Sequence, residues 1–178
     1  MKIFRLFFVS ILLLSLISCS SSDDSPSFDV VGSWKMTQGT IEPGTFNMDM
    51  GGISVPIDIS GNFVEIDENN RINFLSDHTF TSHSGTIVLE ITMNFMGTSQ
   101  TERFEESNFF GEGTWEMNGN QLKIKNSNGT TIPYQLEKIS DNEIELSGNV
   151  KDMDIEEGGD DPMLESLDIV VKMRLKRV

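Results

Sequence analysis

The chain has 178 residues, with 28 acidic side chains against 13 basic ones and a formal net charge of −15 at pH 7. Such a balance repels nucleic acid and anionic headgroups and argues against polyanionic substrates. The single cysteine, Cys19, excludes an intrachain disulfide, so an exported form of this chain relies on its core alone.

Lys2 and Arg5 precede an apolar run over residues 6–16, and Leu16-Ile17-Ser18-Cys19 closes it with a small residue before the cysteine. A positive start, a short apolar segment and a small residue before the cleavage point make a secretory leader over residues 1–18. A transmembrane helix needs about 20 apolar residues. This run is shorter, is interrupted by Ser10 and Ser15, and is followed by Ser20-Ser21-Ser22-Asp23-Asp24. Loss of the leader removes Lys2 and Arg5, takes the net charge to −17 and leaves 160 residues, enough for one domain with a real core. Leu16-Ile17-Ser18-Cys19 resembles the lipobox of bacterial lipoproteins. The resemblance implies a diacylglyceryl thioether on Cys19, an acylated amino group carrying a palmitate-type chain, and a lipid-anchored place in the cell envelope, at the outer membrane. Several chains hold a protein there because each buried methylene adds about 0.8 kcal/mol.

Residues 19–27 carry no large apolar side chain and read as a flexible tether. Their Ser-Asp-Asp run resembles the acidic stretch that routes some Gram-negative lipoproteins to the cell surface; a plain soluble spacer has the same composition. From Phe28 to Val178 the pattern is β. Residues 30–40, 45–60 (broken by Gly51-Gly52 and Pro56), 63–66, 71–75 and 79–84 are the earlier, less regular strands. In residues 86–97, Ile87, Leu89, Ile91, Met93 and Phe95 share one face, with Glu90, Thr92 and Asn94 opposite.

The later runs alternate as cleanly: Leu122 and Ile124; Ile132, Tyr134 and Leu136; Ile144 and Leu146; then Leu167, Ile169, Val171, Met173 and Leu175. Asn118-Gly119-Asn120, Ser127-Asn128-Gly129 and Ser140-Asp141-Asn142 supply the hairpin turns between them. No stretch shows sustained helical periodicity. Sequential antiparallel strands hide their edges most economically by closing, which predicts an all-β, up-and-down antiparallel barrel of about 8–10 strands; a β-sandwich is the alternative.

Two sets of residues carry a resemblance to a family. Gly32-Ser33-Trp34 resembles the Gly-x-Trp opening of lipocalins. Residues 72–80, Gly113-Thr114-Trp115-Glu116, the Asn118-Gly119-Asn120 turn, residues 134–144 and the basic last strand resemble the lipocalin-like domains of Gram-negative lipoproteins. The resemblance implies a lipocalin-like barrel over residues 28–178 that binds a small apolar ligand, with Trp34 plugging the barrel base.

Methionines and aromatics on apolar faces are the candidate ligand contacts: Trp34, Met36, Met93, Phe95, Trp115 and Tyr134, because the polarizable thioether adapts to lipid-like molecules. The bland alternative is that methionine fills core gaps. Met48, Met50, Ile53 and Val55 around Gly51-Gly52 read as a flap over the mouth or as a strand broken by a glycine bulge. Asp152, Asp154 and Glu156 resemble alternating calcium ligands, but the glycine falls late at Gly158 and Met163 stands where a bidentate glutamate is needed, so a solvated loop is expected and no metal site.

His78 and His83 lack any accompanying nucleophile elbow, zinc motif or phosphate loop. Glu90, Glu116 and Glu145 lie opposite apolar neighbours and point to water. No enzyme, no cofactor and no nucleic-acid partner are expected. A non-catalytic surface, adhesion or glycan-binding domain, with Trp115 beside Glu116 stacking on a sugar, is the other reading.

Overall fold

The computed structural model describes residues 28–83, 85–107, 110–152 and 168–178. The leader, Cys19 and its tether, and most of the acidic loop lie outside them. The described residues form eleven strands: β1 (Gly32–Asp49), β2 (Ser54–Ile66), β3 (Arg71–Phe74), β4 (Thr79–His83), β5 (Thr86–Phe95), β6 (Thr98–Ser107), β7 (Glu112–Asn118), β8 (Gln121–Asn126), β9 (Thr131–Ser140), β10 (Glu143–Asn149) and β11 (Val170–Arg177). A single 3₁₀ turn, Val150–Asp152, follows β10.

Closure comes from the first and last strands. Trp34 pairs with Arg177 and Ile41 with Val171, so β1, β3, β4, β7, β8, β9, β10 and β11 make a closed eight-stranded antiparallel barrel. The expected up-and-down order holds around this ring. The remaining strands, β2, β5 and β6, form with the second half of β1 a wing that continues beyond the barrel wall.

The alternating runs fill the barrel. Ile72 and Phe74 from β3, Phe80 from β4, Leu122 and Ile124 from β8, Ile144 and Leu146 from β10, and Met173 and Leu175 from β11 are almost fully buried in one cluster. Burial of side chains of this size contributes about 1.5–3 kcal/mol each. Gly148 lies directly opposite Tyr134 on the neighbouring strand, and a β-carbon there would press on the phenol ring.

At the barrel base Trp34 is wholly buried, donates from Nε1 to the Val30 carbonyl at 2.8 Å, and lies under the Arg177 guanidinium, 4.4 Å from the ring centroid. Arg177 also donates to the carbonyls of Val31 and Asp29. The cation therefore stacks on the plug and satisfies the chain entering the barrel.

Two expected boundaries change. Residues 30–40 and the first part of 45–60 join into one strand of 18 residues, and the remainder of 45–60 runs on through residues 63–66 as β2. Gly51 and Gly52, at φ 71° and 90°, turn the chain between them. Pro56 does not break β2: it pairs with Asn47 at a point before the β5 ladder begins at Ile57, where the strand has a partner on one side only. β6 is additional to the expected strands. Its ten residues are all exposed, and its ladder to β5 rests on backbone bonds with no apolar alternation to signal it.

The branching of β1 leaves a seam. One edge of β1 pairs with β3 through Trp34 and resumes with β2 at Thr40. Asn70, the single buried polar residue among the described residues, fills it: Oδ1 accepts from the Met36 amide at 2.7 Å and Nδ2 donates to the Met36 carbonyl at 3.2 Å. Its side-chain amide thus replaces a missing strand residue. Replacing it orphans a buried donor and acceptor at about 1–3 kcal/mol each. Asn70→Ala is expected to lower unfolding free energy by roughly 2–4 kcal/mol in chemical denaturation, and Asn70→Asp to recover part of that loss only in acid, where the protonated carboxyl regains a donor.

Candidate functional site

The wing has one apolar and one polar face. Across the ladder Phe46, Ile57, Phe95 and Thr98 stand in one row, with Ile59, Met93 and Gln100 in a neighbouring row on the same face. Thr45, Asp58, Asn94 and Ser99 occupy the other face, where the Thr45 hydroxyl bonds Asp58 at 2.6 Å. Alternation along β1, β2 and β5 therefore gathers apolar side chains on one side of a twisted sheet.

Toward the barrel that face is closed by Phe63, which packs over Gly39 so tightly that a methyl on Gly39 would overlap the ring. Gly44 faces the Asp168 carbonyl, with Ile169 in ordinary contact beside it. Farther out the face opens into a groove of about 300 Å³ lined by Met48, Met50, Ile57, Met93, Phe95, Thr98 and Gln100. Ile57 forms its buried floor, Met48 and Met50 are exposed walls, and Thr98 and Gln100 place a hydroxyl and an amide along one rim.

The six candidate contacts divide between two places. Trp34, Met36, Trp115 and Tyr134 are buried in the barrel cluster, whereas Met93 and Phe95 line the groove on the wing. Burial pushes the Tyr134 phenol up, so it stays protonated. The Trp115 ring is buried between Phe74 and His78, and its Nε1 donates to the carbonyls of Leu75 and Thr79, which leaves no open face for a sugar. Met48 and Met50 join Met93 and Phe95, while Ile53 sits exposed in the turn between β1 and β2.

A family of lipocalin-like domains matches residues 30–146, from just before β1 into β10. The chain belongs to this lipocalin-like domain family. No curated protein and no solved structure matches it. The lipocalin-like domain's matched region contains the whole groove, and β11, which closes the barrel, lies beyond it.

The remaining sequence candidates are dispersed. Glu90 on β5 pairs with Arg103 at 3.1 Å, Glu145 on β10 pairs with Arg174 at 3.1 Å, and Glu116 is exposed on β7. No two of these strands are neighbours, so the carboxylates do not converge. His83 is exposed at the end of β4. Among the described residues no group of three His, Cys, Asp or Glu side chains could hold a metal ion. Asp152 ends the 3₁₀ turn, and Asp154, Glu156, Gly158 and Met163 lie outside the described residues. Lys151 and Asn149 both bond the Asp168 carboxylate, tying together the two ends of that loop.

The turn below the barrel base has its own electrostatics. His78 takes φ 65° and stacks on Trp115 with centroids 4.8 Å apart, held by an Asp77 carboxylate that accepts from the Thr79 hydroxyl at 2.6 Å and amide at 3.0 Å. Those bonds lower the Asp77 pKa. A depressed folded value means the stabilisation is complete above the unfolded carboxylate's pKa and disappears as pH falls through the folded one. Asp77→Asn should therefore be less stable than the parent near about pH 7 and match it near about pH 2, as read by denaturant midpoints at the two pH values.

Proposed function

We propose that this lipocalin-like domain is a non-catalytic binding protein that holds one small apolar molecule in the wing groove, on a body tethered to the cell envelope by lipid on Cys19. The groove lining carries the reading. Methionine, isoleucine and phenylalanine side chains from β1, β2 and β5 form its walls, and its volume of about 300 Å³ sits at the low end of small-molecule pockets, roughly 300–1,000 Å³. Flexible thioethers tolerate variation in ligand shape. The hydroxyl of Thr98 and the amide of Gln100 suit the polar end of an amphiphile, with a single acyl chain lying over Ile57.

Family membership favours a binding role, and the buried Trp34, Met36 and Tyr134 favour the wing over the barrel interior as its place. The leader and lipobox support anchoring, with the outer membrane as the surface. Metabolic labelling with palmitate should mark the parent chain and not Cys19→Ala; equal labelling of both would remove the anchor from this reading.

Ligand binding is tested with the full chain and a dansyl-labelled fatty acid, with native mass spectrometry counting bound molecules. Full burial of a side chain of this size is worth about 1.5–3 kcal/mol, so Phe95→Ala and Met93→Ala should each weaken binding by about tenfold. Leu146→Ala, in the barrel core, should lower stability and leave the affinity of the folded protein unchanged. Saturable binding that survives Met93→Asp, or no saturable binding at all, would place the ligand elsewhere or nowhere.

A further inference from the structure

Beyond ligand binding, the geometry points to a lipid-docking surface formed by the outer ends of the two wing hairpins. The β1–β2 hairpin ends in Met50 and Ile53, which are 53% and 68% exposed; the β5–β6 hairpin ends in Met96, 80% exposed. Both ends lie at the same edge of the wing, because Ile57 of β2 pairs with Phe95 immediately before Met96. Met96 holds φ 47°, a left-handed conformation that a residue with a β-carbon adopts only under strain, and its side chain projects into solvent.

Charge distribution sets these ends apart. In a chain that is 23% charged, residues 43–57 contain only Asp49, and residues 91–101 contain no charged side chain. Asp49 is exposed and accepts from the Gly52 amide at 2.7 Å. An acidic body that is repelled by anionic surfaces thus carries one apolar extremity with a single charge, that of Asp49.

The occupant that fits is the neutral acyl and glycerol layer of a zwitterionic bilayer. Three large side chains on two protruding turns are far fewer than the roughly 20–30 residues a side of a stable protein interface, and a lipid surface needs no matching shape. Exposed Met50 belongs to both the hairpin end and the groove wall, so docking opens the groove directly onto acyl chains.

Distance also constrains the pose. The chain from Cys19 to Phe28 has a contour of at most about 30 Å, and β1, irregular at Met36/Gln38 and Ile41/Gly44, has a contour of up to about 50 Å between Gly32 and Met48. The tether joins at the start of β1 and the wing tips follow its end, so anchor and tips meet one bilayer when the domain lies along it.

The test uses the full chain carrying Met96→Cys, labelled with nitrobenzoxadiazole and reconstituted in phosphatidylcholine vesicles with and without nitroxide-bearing lipids. A label at Ser76→Cys, exposed at the barrel base, is the comparison, and the parent chain taken through the same labelling reports any free thiol at Cys19. That background separates failure of the anchor from failure of docking. At position 96 the nitroxides should quench at least twofold with a blue shift, at position 76 much less, and Met50→Asp with Ile53→Asp should halve the quenching at 96 or more. Water-like emission at 96, or quenching unaffected by the aspartates, would overturn the proposal. So would self-quenching that rises with surface density without nitroxide quenching, the mark of a second copy on the wing.

Discussion

A strand of 18 residues that belongs to two sheets at once is the constraint on which this molecule turns. β1 is needed by β3 to continue the barrel and by β2 to begin the wing, and both claim the same edge. Two strands cannot meet end to end without exposing backbone groups between them, and buried backbone groups left unpaired are costly. Asn70 resolves the conflict by presenting an amide to Met36, so the barrel keeps its wall while the chain diverges into the wing. Phe63 packs closely over Gly39 on the β1 segment between the two pairings.

The consequence is a division of labour. Trp34, Arg177 and the alternating strands β7 to β11 build a filled barrel whose interior has become core. The groove lies on the wing, where Met48 and Met50 stay exposed beside the buried Ile57. A lipocalin-like barrel can in this way retain its architecture while its open apolar groove lies outside the barrel.

Much of the barrel was legible because its strands have water on one side and core on the other. Leu122 and Ile124, or Ile144 and Leu146, can alternate only as half-buried strands. β6 has no buried face, so its period is silent; the Met96-Gly97 turn after the alternation of β5 was the available signal. Periodicity also placed Met93 and Phe95 on an apolar face as correctly as it placed Trp34 and Tyr134. It carries no information on which apolar face is sealed and which is open, because that depends on the branching of β1. Asn70 was invisible for a related reason: its role is defined by a gap in a ladder between residues 34 positions apart.

The pairing of β1 with β11 has a temporal meaning as well. The other barrel seams join strands at most about 40 residues apart, the widest being Gly32 with Phe74 and Thr79 with Thr114, but Trp34 waits for Arg177. Closing so long a loop is slow and comes late. A chain emerging from its first residue onward keeps its ring open, and the guanidinium absent from above Trp34, until nearly all of it has been made. The seam that seals the barrel thereby also sets the completion of folding at the very end of the chain.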